Sequence, residues 1–419
     1  HTIDGGQALT LVSGTAATTI TGNIGAGTAL TGLTITNGTA NGTITFGGNI
    51  GDGSGAGVEG TTSIGNANTA DLNFNSTIYS FDGATTITAA SGDNIDIAAG
   101  SDTTFTTAAD NITFATANIA LADGSDLTVD TGAAGGNITI GEIAGTTVET
   151  VTLDAGTGTT SVGVIGSGTE IGVVSIGSAQ NGGITLNGAI TTDGSVTIDG
   201  PVTLATGAIS VTTANDAITF NHTIDGGQAL TLVSGTAATA IQGEIGGNTA
   251  ISSLTITNGT ANGTIEISNI GGVTGATAIG NTNTGTITLD GTAYTTTGTQ
   301  TYTAATGQNI DITGAATFTT TNSNIAFNTS GVDLANNGTT TINTGAGAGT
   351  VTFGAAIEGN SASSPFNDLL VITSGTGDVT FTGAIGATNA LGGLSVNESS
   401  GNGDITFTST IGDTGNAGV

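Results

Sequence analysis

Residues 24–46 read IGAGTALTGLTITNGTANGTITF. Two runs in this stretch, Leu33-Thr34-Ile35-Thr36 and Ile44-Thr45-Phe46, alternate an apolar residue with threonine. A period of two sends successive side chains to opposite faces of a strand, so the aliphatic residues and Phe46 point one way and the threonines the other. Threonine is β-branched and suits the solvated face of a pleated strand. The intervening Asn-Gly-Thr-Ala-Asn-Gly is made of residue types that accept tight corners. The stretch reads as strand, corner, strand.

Working outward, the same apolar-Thr-apolar triplet recurs at Ile112–Phe114, Val202–Leu204, Ile218–Phe220, Val351–Phe353, Val379–Phe381 and Ile405–Phe407. Corners such as Asp52-Gly53, Asp82-Gly83, Asp123-Gly124 and Asp290-Gly291 separate the strands, and no helical period is visible. Strands of about four residues suit a solenoid better than a sandwich, whose strands are usually about five or six.

Repeats sharpen this reading. HTIDGGQALTLVSGTAAT at His1 returns verbatim at His222, and LTITNGTANGTI at Leu33 returns at Leu254 with the same offset. A looser copy of the opening motif starts at Ile24, Ile165, Ile245 and Ile385, and these successive start numbers differ by 141, 80 and 140. The differences lie near multiples of about 20, one solenoid coil, and copies whole coils apart are expected on one face. The prediction is an all-β fold, a right-handed parallel β-helix (β-solenoid) with roughly 20 residues per coil. It would hold about 21 coils and extend on the order of 100 Å. Residues 1–419 are expected to be one continuous solenoid segment of a larger protein, with an internal repeat over 1–221 and a partial second copy over 222–419. The 12 Phe residues are expected mostly in the core. A string of immunoglobulin-like sandwiches competes, but such domains repeat at about 100 residues and bury a tryptophan. The spacings here keep no single domain length, and the chain has no Trp.

Composition narrows the function. The chain has no Lys or Arg against 31 Asp and Glu, a formal charge of -31. Nucleic-acid binding needs cations to neutralise phosphate and is excluded. An anionic membrane surface repels such a chain, and no run of about 18 apolar residues suggests insertion in this segment. The partners that remain are cations, neutral host or cell-surface glycans, and other copies of the chain, end to end or laterally. Without Cys there is no disulfide and no thiolate metal site. Disorder is disfavoured, because charged residues are only 7% of the chain and the apolar residues are regularly placed. The chain starts at His1 and lacks Met, so it is expected to be a processed product or a piece of a longer polypeptide. The terminal GDTGNAGV resembles GDGSGAGV ending at Val58, which suggests that the solenoid continues or meets another copy.

The recurring units ITFGGNIG (Ile44 to Gly51), ITLNGAI (Ile184 to Ile190) and VTFTGAIGATNALGGLSV (Val379 to Val396) resemble the strand repeats of giant bacterial surface proteins. These include filamentous-haemagglutinin-like exoproteins and autotransporter-passenger adhesins. The resemblance implies a right-handed β-helical shaft, secretion to the cell surface, and a role in adhesion, aggregation or filament formation. The secretion domain and receptor-binding tip of such proteins have no match in these residues.

No catalytic residue is assigned. His1 and His222 occupy the same repeat position, which points to the scaffold, and the pairs Asp93/Asp96 and Asp123/Asp126 sit beside turns, where Asp is expected anyway. The same four residues, within SGDNID and ADGSD, are the calcium candidates, since hard cations take several oxygen ligands. Plain solvated turns are the simpler reading, because neither an EF-hand loop nor a calcium-roll nonapeptide is present. No cofactor is expected, calcium aside. Thr-x-Thr triplets such as Thr34-Ile35-Thr36 and Thr286-Ile287-Thr288 raise a further alternative, a threonine array that binds ice. The function expected is a non-enzymatic structural shaft of an extracellular bacterial adhesin or self-assembling surface filament; a glycan- or calcium-binding solenoid is the other alternative.

Overall fold

The structure, a computed structural model, describes residues 1–98, 100, 102–146, 148–177, 182–334, 338–359, 367–399 and 401–412. The described residues form parallel strands stacked as a β-solenoid of about 16 turns, with a spacing of about 24 residues and no helix. No helix is therefore long and apolar enough to cross a membrane. The chain divides into two compact units, His1–Thr206 and Gly207–Val419.

In the first unit, three strands make up a turn and every strand pairs in parallel with the turns before and after it. One inward column runs through Leu9, Leu33, Thr62, Thr85, Ile112, Ile138, Thr160, Ile184 and Val202, one residue from each successive turn. A second column stacks Ile44, Leu72, Ile95, Ile119, Ile143, Ile165 and Ile190, and all seven are buried. A third stacks Ile50, Tyr79, Phe105, Val129, Leu153, Ile176 and Ile198. Fully burying each such side chain stabilises by about 1.5–3 kcal/mol. The interior is therefore a stack of thin apolar columns, and the strands add further inward residues beside those traced here, such as Ile35, Phe46 and Leu127.

Two expectations from spacing change. The turn is about 24 residues rather than 20, so the turns number about 16 rather than 21. The corners lengthen it: the loop at residues 51–57 falls within the step from Leu33 to Thr62 and makes that turn longer than its neighbours. The motif copies at Ile24 and Ile165 also do not share a face. Ile24 leads through Ile50 and Tyr79 to Phe105, whereas Ile165 pairs with Ile143 and Ile190 on another sheet.

The second unit follows the same plan. One column runs through Ile209, Leu230, Leu254, Thr277, Gln300, Ile325, Val351, Val379 and Ile405. A second passes through Phe220, Ile241, Ile267, Leu289, Ile312 and Leu334. The third joins Ile270, Tyr294, Phe318, Ile342, Ile372 and Val396. Aromatic rings on successive rungs lie face to face: Phe327–Phe353 at 5.0 Å, Phe353–Phe381 at 5.4 Å and Phe381–Phe407 at 4.8 Å. These separations match the strand spacing of about 4.8 Å, so the ladder itself sets the stack. Buried Gln300 is satisfied inside this core. Its Nε2 donates to the carbonyls of Tyr294 (2.8 Å) and Thr319 (3.0 Å), and its Oε1 accepts from the Tyr302 hydroxyl (3.1 Å).

Ten of the twelve Phe residues are buried, as the alternation predicts; Phe407 is 40% exposed and Phe366 lies outside the described residues. A polar clamp closes the same corner in both repeat copies. Asn37 Nδ2 donates to Ser13 Oγ at 2.9 Å, and Asn258 Nδ2 to Ser234 Oγ at 2.9 Å. Both asparagines are fully buried, so the bonds offset what would be a desolvation cost of about 1–3 kcal/mol. Glycine follows from the clamp: a Cβ on Gly42 or Gly263 would lie 2.0 Å from that amide nitrogen. The preceding Asn41 and Asn262 take φ of 74° and 75°, which asparagine tolerates.

Candidate functional site

The outward positions carry whatever chemistry the surface has, because the inward ones are spent on the core. In the first unit one outward column reads Thr10, Thr34, Ser63, Thr86, Thr113, Thr139, Ser161, Thr185 and Thr203. All nine rungs bear a hydroxyl. Their outward neighbours, two positions before and after on each strand, include Ala8, Thr36, Asn111, Gly141 and Asn187, and none of the eighteen is charged. A second hydroxyl column, Thr104, Thr128, Thr152, Ser175 and Thr197, lies on a different sheet of the same unit.

Carboxylates occupy other columns. Asp130 stacks on Asp154 in the first unit, and Asp311, Asp333 and Glu358 occupy consecutive rungs in the second. Burial raises the pKa of Asp311. Burial, then the like charges of Asp311 and Glu358, raise that of Asp333. Asn309 Nδ2 donates to Asp333 Oδ2 at 2.7 Å. The column is thus a strip of like charge about one strand spacing apart, on a chain with no Lys or Arg to balance it.

The calcium candidates are dispersed over turn and strand duties. The Asp93 N–H donates to the Ala90 carbonyl at 3.1 Å, closing a turn. Asp96 lies on Asn94–Ile97 between Asn73 and Ala120, and burial followed by the charge of Asp71 raises its pKa. Asp126 Oδ1 accepts the Thr150 N–H at 2.6 Å, and Asp123 Oδ1 accepts the Thr146 hydroxyl at 3.3 Å. Among the described residues no three His, Asp or Glu side chains gather so as to hold a metal ion.

One carboxylate that the sequence reading passed over is built into this corner. Glu149 is fully buried. It accepts the Thr146 N–H at 2.7 Å, the Gly124 N–H at 3.3 Å and the Thr146 hydroxyl. Burial pushes its pKa up, but these hydrogen bonds together outweigh burial and hold it below the ordinary glutamate value. Asp4 acts as a simpler clip between turns, accepting the Gly27 N–H at 2.9 Å, and Asp225 does the same for Asn248 at 2.9 Å in the second repeat copy.

Shallow grooves follow equivalent text in the two units. One is lined by Ser54, Ser80, Asp82, Thr106 and Thr107, beside Tyr79-Ser80-Phe81-Asp82. The other is lined by Thr274, Thr295, Thr297, Thr319 and Thr321, beside Tyr294-Thr295-Thr296-Thr297. Their side chains offer hydroxyls and, in the first groove, one carboxylate.

By fold and surface the chain is a β-solenoid repeat protein. No protein-family model, curated protein or solved structure matches it.

Proposed function

We propose that this chain is a structural shaft of an extracellular surface protein, a bacterial adhesin or a self-assembling surface filament, and not an enzyme. The observation that carries this reading is the parallel ladder of each unit, in which turn stacks on turn with only local register shifts, as at Gly42–Ile44 and Gly263–Ile265. In such a ladder each turn is stabilised mainly by its neighbours, and stability accrues turn by turn. The fold thus supplies reach, and the outward columns are free for contact with partners. Composition supports a non-catalytic role, since there is no Lys, Arg or Cys and only two His, which leaves carboxylates and hydroxyls as the main groups for acid–base or nucleophilic chemistry. Resistance to trypsin-like proteases, which cut after Lys or Arg, suits life outside a cell.

An ice-binding array would need a broad hydroxyl lattice confined to one face. Hydroxyl columns lie on two sheets of the first unit, and no regular lattice flanks the longer one: Thr36 and Thr88 stand beside some rungs, but Val12, Gly65 and Ala115 stand beside others. This distribution fits threonine as the ordinary exposed strand residue. Electron microscopy of the purified chain tests the shaft reading. Elongated particles or fibres support it, and compact globular particles overturn it. Calorimetric titration with calcium chloride tests the calcium alternative directly.

A further inference from the structure

We propose that the charge-free sheet face of the first unit, the face of the column from Thr10 to Thr203, is a lateral self-association surface whose occupant is the same face of a second copy of this chain. The inference takes the shaft reading as its setting and adds to it the contact by which shafts join.

Charge is the first argument. Each copy carries -31 with no basic residue, so two copies repel wherever carboxylates meet, and like charges brought together across an interface are costly. A self-contact must therefore use a region from which carboxylates are excluded. The first unit provides one. Nine consecutive rungs, and the outward positions two residues before and after each, hold no Asp or Glu; Glu142, on the strand Ile138–Ala144, lies just past this strip. The corresponding face of the second unit does not qualify, because Asp378 and Asp404 flank it.

Chemistry is the second argument. A hydroxyl both donates and accepts, so a hydroxyl column is its own hydrogen-bonding complement. A two-fold axis brings one patch against its copy, and the common rung spacing of about 4.8 Å keeps the two columns commensurate along their length. Size is the third. Nine rungs at about 4.8 Å by five residues at about 3.3 Å give on the order of 700 Å² per copy, close to the usual contribution of each partner to a stable interface.

The test is sedimentation velocity of the full chain across a concentration series up to about 100 μM, at neutral pH and near-physiological salt. The expected result is concentration-dependent association that strengthens as added NaCl screens the remaining charges. The double variant Thr86→Glu/Thr139→Glu places carboxylates on the column and is expected to weaken association at least about tenfold. The control Thr104→Glu/Thr152→Glu, on the other hydroxyl column, is expected to leave it unchanged, with circular dichroism confirming that both variants fold. A chain that stays monomeric throughout, association that survives the Thr86/Thr139 variant, or association that weakens with salt would overturn the proposal. So would binding of a neutral polysaccharide such as dextran to this strip by a chain that remains monomeric. An elongated monomer defeats this inference and leaves the shaft reading standing, whereas a compact globule defeats the shaft reading itself.

Discussion

The outward column beginning at Thr10 keeps a hydroxyl on all nine rungs, whereas the column through Thr231 and Thr255, which share its repeat text, loses the hydroxyl at Ala278 and Ala326 and is flanked by Asp378 and Asp404 at its far end. The inward sides of the two columns differ far less. Both hold Leu, Ile, Val and an occasional buried Thr, with Gln300 the one larger polar group. The difference teaches that the ladder constrains what faces in and leaves what faces out open to divergence. Two units can share a fold while presenting different surfaces.

The largest effects should therefore be similar in both units. Phe74→Ala in the first and Phe327→Ala in the second each remove a fully buried ring with stacked partners, at 5.3 Å to Phe46 and 5.0 Å to Phe353. Each should cost about 3–5 kcal/mol. Denaturant unfolding with hydrogen exchange resolved by unit measures this, and a large loss in one unit alone would break the claim of equivalent cores. The corner clamp should be slightly asymmetric. Asn37→Ala and Asn258→Ala should each cost about 1–3 kcal/mol. Asn37 should cost more, because its Oδ1 also accepts the Thr69 hydroxyl at 2.8 Å while Asn258 Oδ1 is buried without a partner. Thermal melts of the two variants rank them.

Acidification should act in opposite senses on Glu149 of the first unit and on Asp311 and Asp333 of the second. Asp311 and Asp333 have raised pKa values, so their destabilisation is fully present above those values and is relieved as pH falls through them toward the ordinary 3.8. Glu149 is lowered, so its contribution is present above 4.5 and is lost as pH falls through its folded value. Asp333→Asn should thus stabilise the second unit by about 0.5 kcal/mol at neutral pH, with the gain fading in acid. Glu149→Gln should destabilise the first unit, with the loss shrinking in acid. Unfolding midpoints across a pH series check both signs. The smallest effect belongs to Ala278→Thr/Ala326→Thr, which completes the second unit's hydroxyl column and should change stability by less than about 0.5 kcal/mol. A larger change would show that these outward positions are not free.

Much of this organisation was legible beforehand. The alternation in Leu33–Thr36 and Ile44–Phe46 marks strand faces, and the burial of Ile35, Ile44 and Phe46 follows directly. Turn length is not legible because corners vary: the step from Ile184 to Val202 is far shorter than the step from Leu33 to Thr62, although each is one turn of the same column. The same variation put the motif copies at Ile24 and Ile165 on different sheets. Glu149 went unnoticed because nothing in Thr146-Thr147-Val148-Glu149 distinguishes a carboxylate folded into a corner from one in solvent. The four Asp candidates stand out only as acid pairs three residues apart, with Asp93 and Asp123 beside Gly, and each has turn or strand work of its own.

Sequence alone determined the strand pattern, the parallel stacking of short rungs and the absence of any basic group, because a two-residue period and composition are local properties that need no coordinates. Only the tertiary structure decided which residues stand over one another. The hydroxyl column from Thr10 to Thr203 and the carboxylate column from Asp311 to Glu358 join residues roughly one turn apart. Their alignment depends on the summed length of every intervening corner, and a shift of one residue would turn each of these side chains to the opposite face of its strand.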